Sequence, residues 1–231
     1  MNIVITGASR GIGKETVLAF AENSENHILA ISRNESLLTE LRSASGFNNI
    51  SYIATDLNDS LRNPGAFLKQ VDSVFSHIDI LINNAGSLIS KPFTMLSTAD
   101  IMEMTETNFL TPVLLIRELH DRFRRGSHII NIGSMGGYQG SSRYPGMSVY
   151  SASKAALANL TESLAAEYAE EGISFNCLAL GAVQTEMLEE AFPGYKAPVR
   201  PDEMAGFIKW FALEANKFIN GRILPVSVSN P

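Results

Sequence analysis

Short apolar runs rich in β-branched residues recur along the chain, and between them apolar residues return every three or four positions. The first pattern belongs to strands buried on both faces, the second to helices with one buried stripe. The predicted strands are residues 2–5, 27–32, 50–54, 78–82, 127–132, 173–179 and 222–228. The predicted helices are 14–21, 35–44, 64–76, 99–123, one that carries Tyr150 and runs to 171, and 202–213. Strands that alternate with helices imply an α/β fold, a doubly wound parallel sheet with right-handed crossovers. Pro112 interrupts the 99–123 helix. It has no N–H, so the Asn108 carbonyl loses its helical partner. An opened helix there can hold a water and suggests a proton-relay site, whereas a plain kink would leave Asn108 facing solvent. Residues 186–201 carry Met187, Leu188, Phe192 and Tyr195, with two prolines in the second half, which suggests a substrate-covering lid.

Composition narrows the class. With 231 residues, 45% hydrophobic and 18% charged, the chain has enough apolar material for one domain with a sizeable core. The net charge of -6 without a basic block argues against nucleic acid or an acidic membrane surface as partner. Cys177 is the single cysteine and lies in an apolar run, so it is expected to be a buried thiol in a reducing compartment. With no charged and apolar leader after Met1 and no membrane-length apolar run, the expected location is cytoplasmic. The four histidines are scattered, so no metal site is expected.

Candidate chemistry sits where strands end. Thr6-Gly7-Ala8-Ser9-Arg10-Gly11-Ile12-Gly13 joins the first strand to the first helix, an arrangement that aims backbone N–H groups at a phosphate. Its Gly-x-x-x-Gly-x-Gly spacing departs from the Gly-x-Gly-x-x-Gly dinucleotide pattern. The second strand ends Ser32-Arg33, with no carboxylate for a ribose 2′-hydroxyl. Arg33, with Arg10, instead suits a 2′-phosphate; two solvated arginines are the ordinary alternative. Asp56, ending the third strand, suits an adenine amino group. Asn83-Asn84-Ala85-Gly86 closes the fourth strand with small residues that let a ligand approach the backbone. Ser134 ends the fifth, beside a glycine- and serine-rich loop, 135–148, expected to be mobile. Tyr150 and Lys154 stand one helical turn apart on a shared face, so the ammonium is expected to lower the phenol's pKa.

Together the glycine turn, Asn83-Asn84-Ala85-Gly86, Asn108, Ser134 and Tyr150-x-x-x-Lys154 resemble the short-chain dehydrogenases/reductases over essentially the whole chain. The resemblance implies a Rossmann-type, seven-stranded parallel sheet with helices on both faces, in a single domain spanning 1–231. It implies hydride transfer between NAD(P)H and a carbonyl or alcohol. Tyr150 would be the general acid or base, Lys154 would depress its pKa and hold the nicotinamide ribose, Ser134 would orient the substrate oxygen, and Asn108 would hold the relay water. Gly7, Ser9, Arg10, Gly11, Ile12, Gly13 and Arg33 would line the adenosine phosphates. Asp56 and Leu57 would meet the adenine, and Asn84, Ala85 and Gly86 the ribose side. Gly181, Val183 and Thr185 would hold the carboxamide. NADP(H) is the expected cofactor, with NAD(H) second, and a homodimer or homotetramer the expected assembly.

Three departures from the family pattern stand out. Leu180 replaces a usual proline before Gly181, leaving the backbone there less constrained. The loop from Ser134 to Tyr150 is longer than common. The chain ends 226–231 without the frequent Asp-Gly-Gly. Rival expectations are a β-ketoacyl-carrier-protein reductase, using Arg122, Arg124 and Arg125 to meet an acidic carrier, and a non-catalytic NAD(P)-sensing protein. The sensor has no need of the Tyr–Lys pair.

Overall fold

The computed structural model of the chain describes residues 1–228. Within them, β1 (Asn2–Thr6), β2 (His27–Ser32), β3 (Ile50–Ala54), β4 (Ile78–Asn83), β5 (Phe123–Ser134), β6 (Ser174–Leu180) and β7 (Arg222–Val226) form one sheet. Its order is β3-β2-β1-β4-β5-β6-β7, and every neighbouring pair is parallel. The order reverses between β1 and β4, which opens a crevice at the carboxyl ends of those strands.

The helices are α1 (Gly11–Ala21), α2 (Glu35–Ala44), α3 (Leu57–Ser60), α4 (Gly65–Val74), α5 (Thr98–Thr105), α6 (Thr111–Leu119), α7 (Ser148–Glu167), α8 (Glu186–Ala191) and α9 (Pro201–Glu214). The pleat sends Ile3 and Ile5 of β1 into one apolar layer and Val4 into the other. β2 divides likewise, Ile28 and Ala30 against Leu29 and Ile31. One layer is closed by Phe20 of α1, Leu38 of α2 and Phe211 of α9; the other by Val71 of α4 and Leu115 and Leu119 of α6. Burial on both faces is why the strand runs are continuously apolar rather than alternating. Each such large side chain contributes roughly 1.5–3 kcal/mol over its exposed state. Lys209 of α9 fastens this wall to α1, donating to the Ala19 carbonyl at 2.6 Å and to Glu22 at 2.8 Å.

Several predicted bounds need correction. The 99–123 helix is really α5, a five-residue π turn over Glu106–Leu110, and α6. It stops at Leu119, because Phe123 already pairs with Ile78 in β5. The Tyr150 helix ends at Glu167 rather than 171: Tyr168 leaves helical geometry to pack its ring on His120 and Phe175. Pro201 belongs to α9, where its missing N–H costs nothing at the first helical position, so the lid is shorter than expected. The 135–148 connection is not loose throughout, since a Cβ on Gly137 would lie 2.7 Å from the Ala155 nitrogen of α7. β7 stops at Val226, and the altered C-terminus lies in part (229–231) outside the described residues. Leu180 lies in the ladder, paired with Ser134 and Val226.

Candidate active site

The crevice holds a cleft of about 800 Å³. Its floor is the glycine turn, which only glycine can build. Gly7 and Gly11 have φ of 64° and 54°, and a Cβ on Gly7 would come within 2.8 Å of the Ala85 Cα. A Cβ on Gly13 would meet the Gly7 carbonyl. Thr6 locks this turn to the next one: its Oγ1 accepts from the Asn84 and Ala85 amides at 3.1 and 3.0 Å. The Asn84 side chain returns the bond to the Thr6 and Gly7 carbonyls at 3.0 and 3.2 Å. No side chain caps α1, so its first amides are left for a ligand, in keeping with a phosphate site.

At the far end of the cleft, Arg33 (77% exposed side chain) lies 3.8 Å from Asp56, whose other oxygen caps α3 through the Asn58 amide. Ser9 accepts a hydrogen bond from Ser32 at 2.8 Å. Arg10 reaches across to Glu190 of the lid at 3.3 Å. Leu57, Ile12 and Gly86 line the same cleft, as do Gly181, Val183 and Thr185. A glycine cradle, two arginines lining the cleft and a run of small residues fit a dinucleotide phosphate.

The expected tetrad converges at the other end. Lys154 is 3% exposed and donates to the Ile132 carbonyl at 2.8 Å. Its ammonium lies 6.0 Å from the centre of the Tyr150 ring. Burial pulls Lys154 down to about 8, with the Cys177 thiol acting the other way. Burial pushes Cys177 up to about 12, so this residue is the inert core thiol expected. For Tyr150 the expected shift is reversed. Burial raises its pKa, and the opposing influence is a hydrogen bond with Ser134, not the ammonium. One ammonium N–H is turned onto a backbone carbonyl, and for the phenol desolvation outweighs the Ser134 hydrogen bond that opposes it.

Asn108 is fully buried, which rules out the solvent-facing alternative. Thr111 closes the π turn by donating to Glu106, five residues back, so an extra residue is inserted just before Pro112. The turn aims Asn108 inward. Its oxygen accepts from the Ser87 amide at 2.8 Å, and its nitrogen donates to the Ser87 carbonyl at 2.8 Å and to Ser153 at 3.1 Å. Ser153 in turn donates to the Tyr150 carbonyl at 2.7 Å. Sequence reading missed Thr6, which fixes the glycine turn, and Ser87, Ser153 and Ile132, which hold members of the tetrad. Only Thr6, adjoining the glycine turn, carried a signal; the others act through backbone groups or contacts distant in sequence.

The lid is stitched at its base. Val183 bridges Val199, the Gln184 amide donates to the Val199 carbonyl at 2.9 Å, and Thr185 caps α8. Arg122, Arg124 and Arg125 stand at the start of β5, the end remote from Ser134. There they bind Asp72, Asp79 and the Glu170 carbonyl. Among the described residues no group of histidine, cysteine and carboxylate side chains could hold a metal, and no helix is long and apolar enough to cross a membrane.

The family model for short chain dehydrogenases matches residues 1–196. The chain is 29% identical to a 3-oxoacyl-[acyl-carrier-protein] reductase of Synechocystis over 96% of this chain and 94% of that one. Among solved structures it resembles 4-hydroxyisoleucine dehydrogenase complexed with NADH (26% identity, TM-score 0.84, 98% and 96% covered). It also resembles ElxO with NADP bound (28% identity, TM-score 0.83, 97% and 96% covered).

Proposed function

The chain belongs to the short-chain dehydrogenase family, and on that footing we propose that it interconverts a carbonyl compound and its alcohol, with NADP(H) preferred over NAD(H). The carrying observation is a half-buried phenol, Tyr150, hydrogen-bonded to Ser134 in the cleft that also holds the glycine cradle. Bound nicotinamide supplies or takes the hydride; the protein supplies the proton and the alignment. In reduction Tyr150 protonates the substrate oxygen, and its raised pKa keeps that proton in place at neutral pH. Ser134 holds the same oxygen in line. Lys154, cationic below about 8, steadies the phenolate left behind and holds the ribose hydroxyls. Asn108, clamped by Ser87 and Ser153, sits behind Lys154 on the path by which the proton is replaced. Val183 and Thr185 hold the carboxamide, and Asp56 with Leu57 meets the adenine.

Coenzyme choice rests on Arg33 and Arg10, two guanidiniums at the adenosine end where no carboxylate follows β2. A single dinucleotide-binding domain, a reducing cytoplasmic setting and a homodimer or homotetramer complete the reading. Buried Cys177 agrees with the second, and exposed Phe93, Met95, Trp210 and Phe218 offer apolar surface for the third. Acyl-carrier-protein reduction is less well supported. The candidate arginines are paired at the wrong end of the sheet, and the lid presents Glu186, Glu189 and Glu190 to an acidic partner.

Tyr150→Phe should lower turnover at least 100-fold, while the dissociation constant for NADPH, read from nucleotide fluorescence, changes less than threefold. Near-normal turnover in that variant would refute the role of the phenol. NADPH should bind the wild-type protein tighter than NADH, and Arg33→Ala should erase most of that difference; tighter binding of NADH would overturn the coenzyme assignment.

A further inference from the structure

The half of the cleft beyond Ser134 differs in chemistry from the adenosine half. Met135, Tyr144 and Met147 come from the connection after β5, and Leu188, Phe192 and Tyr195 come from the lid. Met135 and Met147 are buried, at 5% and 9% exposure, so the inner wall is dry and apolar. The charged residues that line the cleft lie elsewhere. Arg33 and Asp56 end β2 and β3, which stand three and four strand spacings from β5, the latter roughly 19 Å. Arg10 is held by Glu190, and Glu186 turns toward the glycine turn, its carboxylate 3.6 Å from where a Gly11 Cβ would be. Among the described residues that line the cleft, Lys154 is the one cation close to Tyr150, and it is buried, donating to the Ile132 carbonyl. Burial and the neighbouring Tyr195 phenol both hold the Tyr144 phenol up, and the guanidinium of Arg143 beside it is turned onto the Tyr138 and Ser141 carbonyls.

We infer that this pocket takes an uncharged carbonyl compound with an apolar, aryl-sized body, and discriminates against phosphorylated or carboxylated substrates. The inference rests on the carbonyl chemistry proposed above. A carboxylate or phosphate brought against Met135 and Phe192 would lose its water and gain no cation, a loss its Coulomb energy cannot recover. An apolar body gains with each methylene buried. Methionine at two wall positions gives a surface that adapts to several shapes, so one body size within this class is not strictly selected.

The test is calorimetric titration of the wild-type protein, with and without NADPH, using an aryl-alkyl ketone and its para-carboxylate twin. A series of straight-chain methyl ketones accompanies them. The neutral ketone should bind at least tenfold tighter than the carboxylate, and affinity should rise about fourfold per added methylene until the pocket is full. Leu188→Arg should narrow or reverse the contrast within the pair. Equal or tighter binding of the carboxylate to wild type, or no binding of the neutral ketones at millimolar concentration, would overturn the inference. Turnover is followed separately. A preserved binding contrast without oxidation or reduction of any compound would count against the hydride-transfer reading and leave the ligand class standing.

Discussion

At the scale of single residues, environment decides acid strength. Tyr150 and Lys154 are neighbours on a helix face, yet desolvation, opposed by the Ser134 hydrogen bond, sets the direction of the phenol's shift. His128 shows the same logic away from the site. It is 1% exposed; Asn176 donates to its Nε2 at 3.0 Å, so its Nδ1 must donate to the Ala212 carbonyl at 3.1 Å. A second ring proton would face the Asn176 amide, and burial lowers the pKa to about 4 from an ordinary 6.5. The unfolded chain therefore binds a proton more readily than the folded one between those values. Stability from this residue is fully present above pH 6.5 and is lost as pH falls toward 4, amounting to about 3 kcal/mol. Urea unfolding at stepped pH should show this slope, and His128→Gln should flatten it.

At the scale of elements, the decisive feature is the π turn between α5 and α6. Proline at 112 announces that the helix cannot run through unchanged, but not which way Asn108 will point. That direction follows from the inserted residue, which rotates Asn108 onto Ser87 and Ser153. Pro112→Ala restores the missing N–H and lets the segment relax to a regular helix. Turnover should fall at least tenfold while far-UV circular dichroism and NADPH affinity stay close to wild type; unchanged turnover would show that the proline is incidental. The bounds of β2, α2 and β3 were legible to the residue, since each ends at a cap or a polar turn. The ends of α6 and α7 were not, because good helix formers continue past the point where β5 pairing and the Tyr168 ring contacts take over.

At the scale of the whole molecule, the sheet order places the glycine turn and the tetrad on one edge, so a dinucleotide would bridge both halves. A ligand that bridges them stabilises the folded chain. At 100 times its dissociation constant, NADPH should add about 2.7 kcal/mol, a rise in Tm of roughly 5–11 °C for a chain of this size. NADH at the same concentration should raise it less, as a scanning calorimeter would record.

By itself the sequence determined the layer architecture and the glycine turn, and it nominated the tetrad. Periodicity and backbone permissiveness are local properties, written in consecutive residues. Tertiary structure alone decided how the Tyr150 proton is held, where Asn108 points, which end of the sheet the arginines occupy and which apolar side chains line the cleft beyond Ser134. Each of these depends on which distant groups share a buried space, and on how much water their meeting removes.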